Sequence, residues 1–95
     1  MKKRGTDLFE QLKHQRKKID LVDGQLLKLV NRRLRIAFKL GKIKKKMGSE
    51  IHDPRREEEV LERLKLKNKG PLKDEDLKKI FETIIRICRR SQIQR

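Results

Sequence analysis

The chain has 95 residues, of which 45% are charged and 34% hydrophobic, and its formal net charge is +15. This length provides for one domain, so we expect residues 1–95 to form a single domain with a flexible, basic N-terminus over about residues 1–6. The charge favours an anionic partner: a nucleic acid, an anionic membrane surface or a small anionic molecule. The single cysteine, Cys88, excludes an intrachain disulfide, and no apolar run is long enough for a signal peptide or a membrane helix. A cytoplasmic protein is therefore expected.

A long apolar stripe with helical spacing runs through the first half of the chain. Alternating steps of three and four residues over positions 12–47 select mostly apolar side chains, which predicts one continuous helix of about 40 residues. Thr6 or Asp7 is expected to cap its start, and Gly48 to end it. The main alternative is a helix broken at Gly24, because glycine weakens a helix interior.

Two shorter helices are predicted after the first. Asp53-Pro54 has the residue types that begin a helix, and Gly70-Pro71 has those that close one. The acidic run over residues 74–76 begins a third helix, which continues to Gln92. Its apolar face comprises Leu77, Ile80, Phe81, Ile84, Ile85 and Cys88. The fold class is therefore all-α, with three helices.

The predicted first helix is too long for one compact chain of this size. A helix of about 40 residues is about 60 Å long, whereas a compact domain of 95 residues is roughly 30 Å across. The two shorter helices cannot cover its apolar stripe, so we expect an antiparallel second copy to do so. The prediction is an intertwined homodimer of six helices.

Cations interrupt the apolar stripe at positions that suit an anion. Arg33 lies within the stripe, and Lys44, three turns further on, points to the same side of the helix. Arg16 is about 25 Å from Arg33 along the helix and on a different side. In an antiparallel dimer, Arg16 of the partner subunit would approach Arg33 and Lys44. This geometry predicts two equivalent sites, each completed by the other chain.

The shorter helices add carboxylates, an amide and a thiol. Asp53 and Glu57 share a face at the start of the second helix, and Cys88 and Gln92 continue the apolar face of the third. Each residue also has an ordinary structural reading: Asp53 is a good helix cap, Cys88 a small core residue and Arg33 a side chain that reaches solvent. The sequence has no metal-ligand spacing, catalytic triad, phosphate loop or dinucleotide fingerprint. Neither a metal nor a cofactor is expected.

Five segments match, in their order and spacing, the pattern of cations, carboxylates and an amide that characterises a known family. They comprise residues 16–20 with Asp23, then 26–33, 41–44 and 53–57, and finally 81–85 with Cys88 and Gln92. With them the chain resembles the all-α chorismate mutases over nearly its whole length. The resemblance implies a dimer of three-helix chains that share active sites. It also implies an isomerase that rearranges chorismate to prephenate without a cofactor, in phenylalanine and tyrosine biosynthesis.

The resemblance also implies roles for the residues that match. Arg33, and Arg16 of the partner subunit, would hold the two carboxylates of the substrate. Lys44 and Gln92 would donate hydrogen bonds to the ether oxygen. Glu57 would accept a hydrogen bond from the ring hydroxyl.

Three further residues have secondary roles in this pattern. Asp53 would assist at the ring hydroxyl, and Arg56 would lie beside the site and contribute positive field. Cys88 stands where the best-known bacterial relatives have a serine near a substrate carboxylate. A thiol is a weak hydrogen-bond donor, so this contact departs from the family pattern.

Two alternative functions are considered. An isochorismate-pyruvate lyase shares this fold and a similar cationic pocket, but Asp53 and Glu57, placed for the chorismate hydroxyl, favour the mutase. A basic helical protein that binds nucleic acid would explain the net charge. The sequence has no set of aromatic residues for base stacking and no helix-turn-helix or zinc module, so we expect neither nucleic acid nor a membrane as partner.

Overall fold

The computed structural model describes the backbone of residues 4–94 and the side chains of residues 7–93. Over this part of the chain there are three helices, α1 (Arg4–Met47), α2 (Pro54–Lys67) and α3 (Asp74–Gln94), and no strand. The predicted all-α class, with three helices and a very long first one, is confirmed. Residues 4–6 of the predicted flexible N-terminus belong to α1, and residues 1–3 lie outside the described part.

The chain divides into two compact units, Met1–Asn31 and Arg32–Arg95. The described residues of the first unit all belong to α1, and none of its described side chains is buried. The helix continues through Gly24, so the alternative of a break there is wrong. Among the described helices of the chain, none is long and apolar enough to cross a membrane.

The two ends of α1 are set in different ways. Its helical backbone already includes Arg4, so the prediction of a cap at Thr6 or Asp7 is wrong. The Asp7 carboxylate instead accepts a hydrogen bond from Gln11 Nε2 at 2.9 Å, one turn further on. At the other end the prediction is confirmed: Gly48 has a left-handed φ of 69°, which glycine adopts without steric strain.

The hydrogen bonds after this glycine form a Schellman motif. Gly48 N–H donates to the Lys45 carbonyl at 3.2 Å, and Ser49 N–H donates to the Lys44 carbonyl at 2.9 Å. Both carbonyls would otherwise lack a partner at the end of the helix. The motif therefore ends α1 at Met47, about one turn after Lys44.

Helix α2 ends earlier than its Gly70-Pro71 pair predicts. Its last residue is Lys67, and the capping residue is Asn68, which has an extended backbone (φ −72°). The Asn68 side chain donates to the Leu72 carbonyl at 2.6 Å and accepts from Gly70 N–H at 3.2 Å. An asparagine that binds nearby backbone groups competes with helix propagation, which explains the early end.

The core of the second unit is small. Its buried apolar residues are Ala37 of α1 and Leu77, Ile85 and Cys88 of α3. On the predicted face of α3, Phe81 and Ile84 are half-buried and Ile80 is 47% exposed. This core joins the C-terminal part of α1 to α3, and these elements also form the walls of the cavity described next.

Candidate active site

A cavity of about 240 Å³ lies within the second unit, between the C-terminal part of α1, the start of α2 and the C-terminal part of α3. Seven of the eight predicted site residues line it: Arg33, Lys44, Asp53, Arg56, Glu57, Cys88 and Gln92. The eighth, Arg16, belongs to the first unit and is exposed. The structure therefore brings together the residues that were expected from a single chain.

Helix α1 provides the cations Arg33 and Lys44, both of which are half-buried. Lys44 Nζ donates a hydrogen bond to the carbonyl of Ile51, in the connection that precedes α2, at 3.0 Å. An ammonium group has three donors, so this bond fixes the group at the cavity wall and leaves two donors for other acceptors.

The N-terminal cap of α2 positions the two carboxylates that line the cavity. The Asp53 Oδ1 atom accepts from Arg56 N–H at 3.1 Å, and Pro54 is the first helical residue, as predicted. This cap fixes the first turn of α2, so Glu57 follows Asp53 by one turn and both line the cavity.

The Glu57 carboxylate is held by a cation from α3. Arg89 Nη1 donates to Glu57 Oε1 at 2.9 Å and to Oε2 at 2.7 Å. His52 Nε2 lies 3.9 Å from Oε2, on an exposed ring. Arg89 also lines the cavity but was not among the predicted residues. The spacing contains a signal for it, because Arg89 lies four residues after Ile85 and three before Gln92, on the same helix face.

Close contact between α1 and α3 positions Gln92. A Cβ atom built on Gly41 would lie 3.0 Å from Gln92 Cα and 3.0 Å from its Cβ, so only glycine fits there without a shift. Gln92 Oε1 is buried and has no hydrogen-bond partner among the described residues. One turn earlier, the carbonyl of the buried Cys88 accepts from Ser91 Oγ at 2.6 Å.

The cavity is positively charged. Its lining has four cations (Arg33, Lys44, Arg56 and Arg89) and two carboxylates (Asp53 and Glu57), which leaves a formal charge of +2. Over the described residues, no group of three or more His, Cys, Asp or Glu side chains could hold a metal ion. The chemistry that this lining offers is binding of a dianion and stabilisation of developing negative charge by fixed donors.

Comparisons with known proteins agree on one family. The family model of chorismate mutase type II matches residues 15–93. A bifunctional chorismate mutase/prephenate dehydratase of Aquifex aeolicus is 40% identical over 84 residues, which cover 84% of this chain and 23% of that protein. The chain thus spans only about a fifth of the length of such bifunctional relatives, with 23% and 20% covered in two of them.

Solved structures of similar length also have a similar fold and sequence. The chorismate mutase (form II) of Thermus thermophilus has a TM-score of 0.87 at 30% identity, over 90% of this chain and 97% of that one. The chorismate mutase of Helicobacter pylori in complex with prephenate has a TM-score of 0.82 at 34% identity, over 90% and 92%. On this match of sequence, fold and cavity residues, the chain belongs to the chorismate mutase type II family.

Proposed function

We propose that this protein is a chorismate mutase, which converts chorismate to prephenate in phenylalanine and tyrosine biosynthesis without a cofactor. The observation that carries the proposal is the cavity, where Arg33, Lys44, Glu57 and Gln92 lie together on one chain. Membership of the family supports it, as does the prephenate bound by the Helicobacter pylori relative.

The charge of the cavity suits a substrate with two carboxylates. We assign one carboxylate to Arg33, whose planar fork of donors matches carboxylate geometry. The second would be bound by Arg16 of the partner subunit. Arg56, which also lines the cavity, adds positive potential from the first turn of α2. Such a clamp would hold the extended dianion in the compact shape from which it reacts.

The rearrangement requires no nucleophile and no general base. One C–O bond breaks as one C–C bond forms within the same molecule, and negative charge gathers on the ether oxygen. Lys44 Nζ and the amide of Gln92 would donate to that oxygen, more strongly in the transition state than in the substrate. A half-turn of the Gln92 amide exchanges its Oε1 and Nε2 atoms, so its donor can face the cavity.

The magnitudes are sufficient for catalysis. An acceleration of about 10⁶-fold requires about 8 kcal/mol of transition-state stabilisation. One preorganised donor to an oxyanion typically supplies about 3–4 kcal/mol. Two such donors, together with positioning by the carboxylate clamp, therefore reach the lower end of enzymatic rates.

The remaining side of the substrate carries a ring hydroxyl. We assign it to the Glu57 carboxylate, with Asp53 assisting from one turn earlier on α2. Cys88 would lie near a substrate carboxylate and contribute little, because a thiol donates weakly. These assignments give the acids of the cavity a function in the mutase reaction and favour it over the release of pyruvate from isochorismate.

We further propose that the protein is an intertwined homodimer with shared sites. In the first unit the apolar stripe of α1 is exposed on the single chain, with Ile19 59% and Leu26 53% exposed. An apolar surface of this extent is typical of an interface. An antiparallel second copy would cover it and bring Arg16 to the partner's cavity. A free, buried Cys88 suits the reducing cytoplasm, where we place the enzyme.

A direct assay tests the proposed function. Purified protein should consume chorismate and release prephenate, and should release no pyruvate from isochorismate. Rapid pyruvate release without prephenate formation would identify the lyase instead. If nucleic acid were the partner, the protein would bind it tightly and with a steep salt dependence while chorismate stays unchanged.

A further inference from the structure

The ion pair between Glu57 and Arg89 is the feature of the cavity that the proposed roles leave unexplained. The two residues are 32 positions apart in the chain and connect α2 with α3. Both side chains are about three-quarters buried, at 26% and 27% exposure, and both line the cavity. The other cavity carboxylate, Asp53, accepts from the backbone of its own helix instead.

The geometry of this pair restricts the carboxylate. A single nitrogen, Arg89 Nη1, donates to both Glu57 oxygens, at 2.9 and 2.7 Å. The carboxylate plane is therefore fixed relative to α3, although Glu57 itself belongs to α2. Each carboxylate oxygen has two lone-pair directions, so one direction on each remains available to a further donor.

Without Arg89, the Glu57 carboxylate could form an ion pair with another cation of the cavity. Lys44 lines the same cavity from α1, and a free glutamate side chain has rotamers that could direct it there. Such a contact would remove the carboxylate from the ligand and neutralise a cation that the ligand needs. Arg89 prevents both, because it already satisfies the charge of Glu57 from the side of α3.

We propose that Arg89 is a positioning residue, which orients the Glu57 carboxylate so that it accepts the hydrogen bond of a substrate hydroxyl. This inference rests on the proposed function and adds a residue to it. Arg89 acts through Glu57 and does not itself bind the substrate. A second cavity, of about 290 Å³, shares Glu57, Ile85 and Arg89 with the first, so the ion pair lies in the wall between the two.

The test is a double-mutant cycle on steady-state kinetics with chorismate. Arg89→Met removes the charge and retains most of the apolar stem, and Glu57→Gln removes the carboxylate. In the wild-type background, Arg89→Met should lower kcat/KM by about ten- to hundredfold, the range for a hydrogen bond to a charged group. Most of the loss should appear in KM, because the hydroxyl is remote from the bonds that change. In the Glu57→Gln background the same substitution should change kcat/KM by less than about threefold.

Conservative and control variants sharpen the test. Arg89→Lys should retain activity within about fivefold, because the observed pair uses one nitrogen, which an ammonium can replace. Arg90→Met removes a neighbouring exposed cation of α3 and should leave KM unchanged. Circular dichroism and sedimentation of each variant check that the fold is retained. Should Arg89→Met be unfolded, Arg89→Gln replaces it in both backgrounds.

Three results would overturn the inference. An equal loss in both backgrounds would mean that Arg89 contacts the substrate directly. A lower melting temperature with unchanged kcat and KM would mean that the ion pair only connects α2 with α3 and has no role in substrate binding. A wild-type protein that leaves chorismate unchanged would reject the proposed function itself, and this inference with it, whereas the first two results leave the proposed function unaffected.

Discussion

At the scale of single residues, Lys44 is held by its surroundings before any ligand arrives. Its ammonium donates to the Ile51 carbonyl at 3.0 Å, beside a Schellman motif that ends α1. A group fixed in this way loses little further side-chain entropy when it donates to a ligand. Such preorganisation is what makes a donor effective against charge that develops only in the transition state.

We therefore predict that Lys44→Ala lowers kcat by about 10²- to 10³-fold, the usual cost of removing one donor to a developing oxyanion. Arg33→Ala should lower kcat/KM by a comparable factor through loss of the carboxylate clamp. Steady-state kinetics with chorismate measure both. Lys42→Ala, which removes an exposed cation of the same helix, is the matched control and should retain wild-type rates. Wild-type rates in Lys44→Ala would refute its assigned role.

At the scale of helices, Asp53 serves as a cap and also lines the cavity, and two substitutions separate these functions. Asp53→Ala removes the bond to Arg56 N–H and should lower the free energy of unfolding by about 1 kcal/mol. Asp53→Asn retains an equivalent cap and should stay within about 0.5 kcal/mol of wild type.

Activity should respond differently from stability at this position. If the Asp53 carboxylate assists at the ring hydroxyl, both variants should lose about tenfold in kcat/KM, as for one hydrogen bond. Urea unfolding and chorismate kinetics on the same preparations compare the two effects. Wild-type kinetics in Asp53→Asn would limit Asp53 to capping α2.

The two helical glycines of α1 provide another comparison between elements. Gly41→Ala would place a methyl group 3.0 Å from Gln92 Cα, which forces α1 and α3 apart. Overpacking of this kind costs about 1–3 kcal/mol, partly offset by about 1 kcal/mol of helix propensity. We expect a net loss of up to about 2 kcal/mol and a lower kcat, since Gln92 shifts with α3.

Gly24→Ala is the control, because a Cβ atom there has no neighbour within 4 Å in the single chain. It should raise the free energy of unfolding by up to about 1 kcal/mol and leave kcat unchanged. Thermal unfolding at a fixed protein concentration measures both variants. A stabilised, fully active Gly41→Ala would show that the approach of α1 to α3 is not required.

At the scale of the whole molecule, the distribution of apolar surface is the main observation. The first unit has no buried side chain among those described, although most of its leucines, its isoleucine and its two valines follow a helical stripe. The second unit buries only a few residues. A chain with so little core would gain stability from the proposed association, so we expect its melting temperature to rise with protein concentration.

Shared sites predict complementation between inactive variants. Arg16→Ala and Gln92→Ala homodimers should each be nearly inactive. After mixing in equal amounts and subunit exchange, about one quarter of all sites should have both residues intact, because half of the dimers are mixed and each has one such site. Mass spectrometry confirms exchange, and chorismate turnover measures recovery. Proven exchange without recovery would reject the shared site.

Much of the candidate site was predictable from the sequence because its determinants are local or carried by the family pattern. Helical spacing places Arg33 and Lys44 on one face of α1, and the Asp53-Pro54 pair begins α2 so that Glu57 lies one turn further on. Gly48 ends α1 because its backbone is left-handed. These features depend on residues that are close together in the chain, so the sequence is sufficient to predict them.

The tertiary structure alone decided the contacts between distant parts of the chain. Whether Arg89 reaches Glu57, and whether a residue larger than glycine fits at position 41, depends on distances between helices to within about an ångström. The end of α2 at Asn68 likewise depends on a side chain folding back onto the following loop. Residue spacing determines which face a side chain occupies, but packing of the helices determines what that side chain meets.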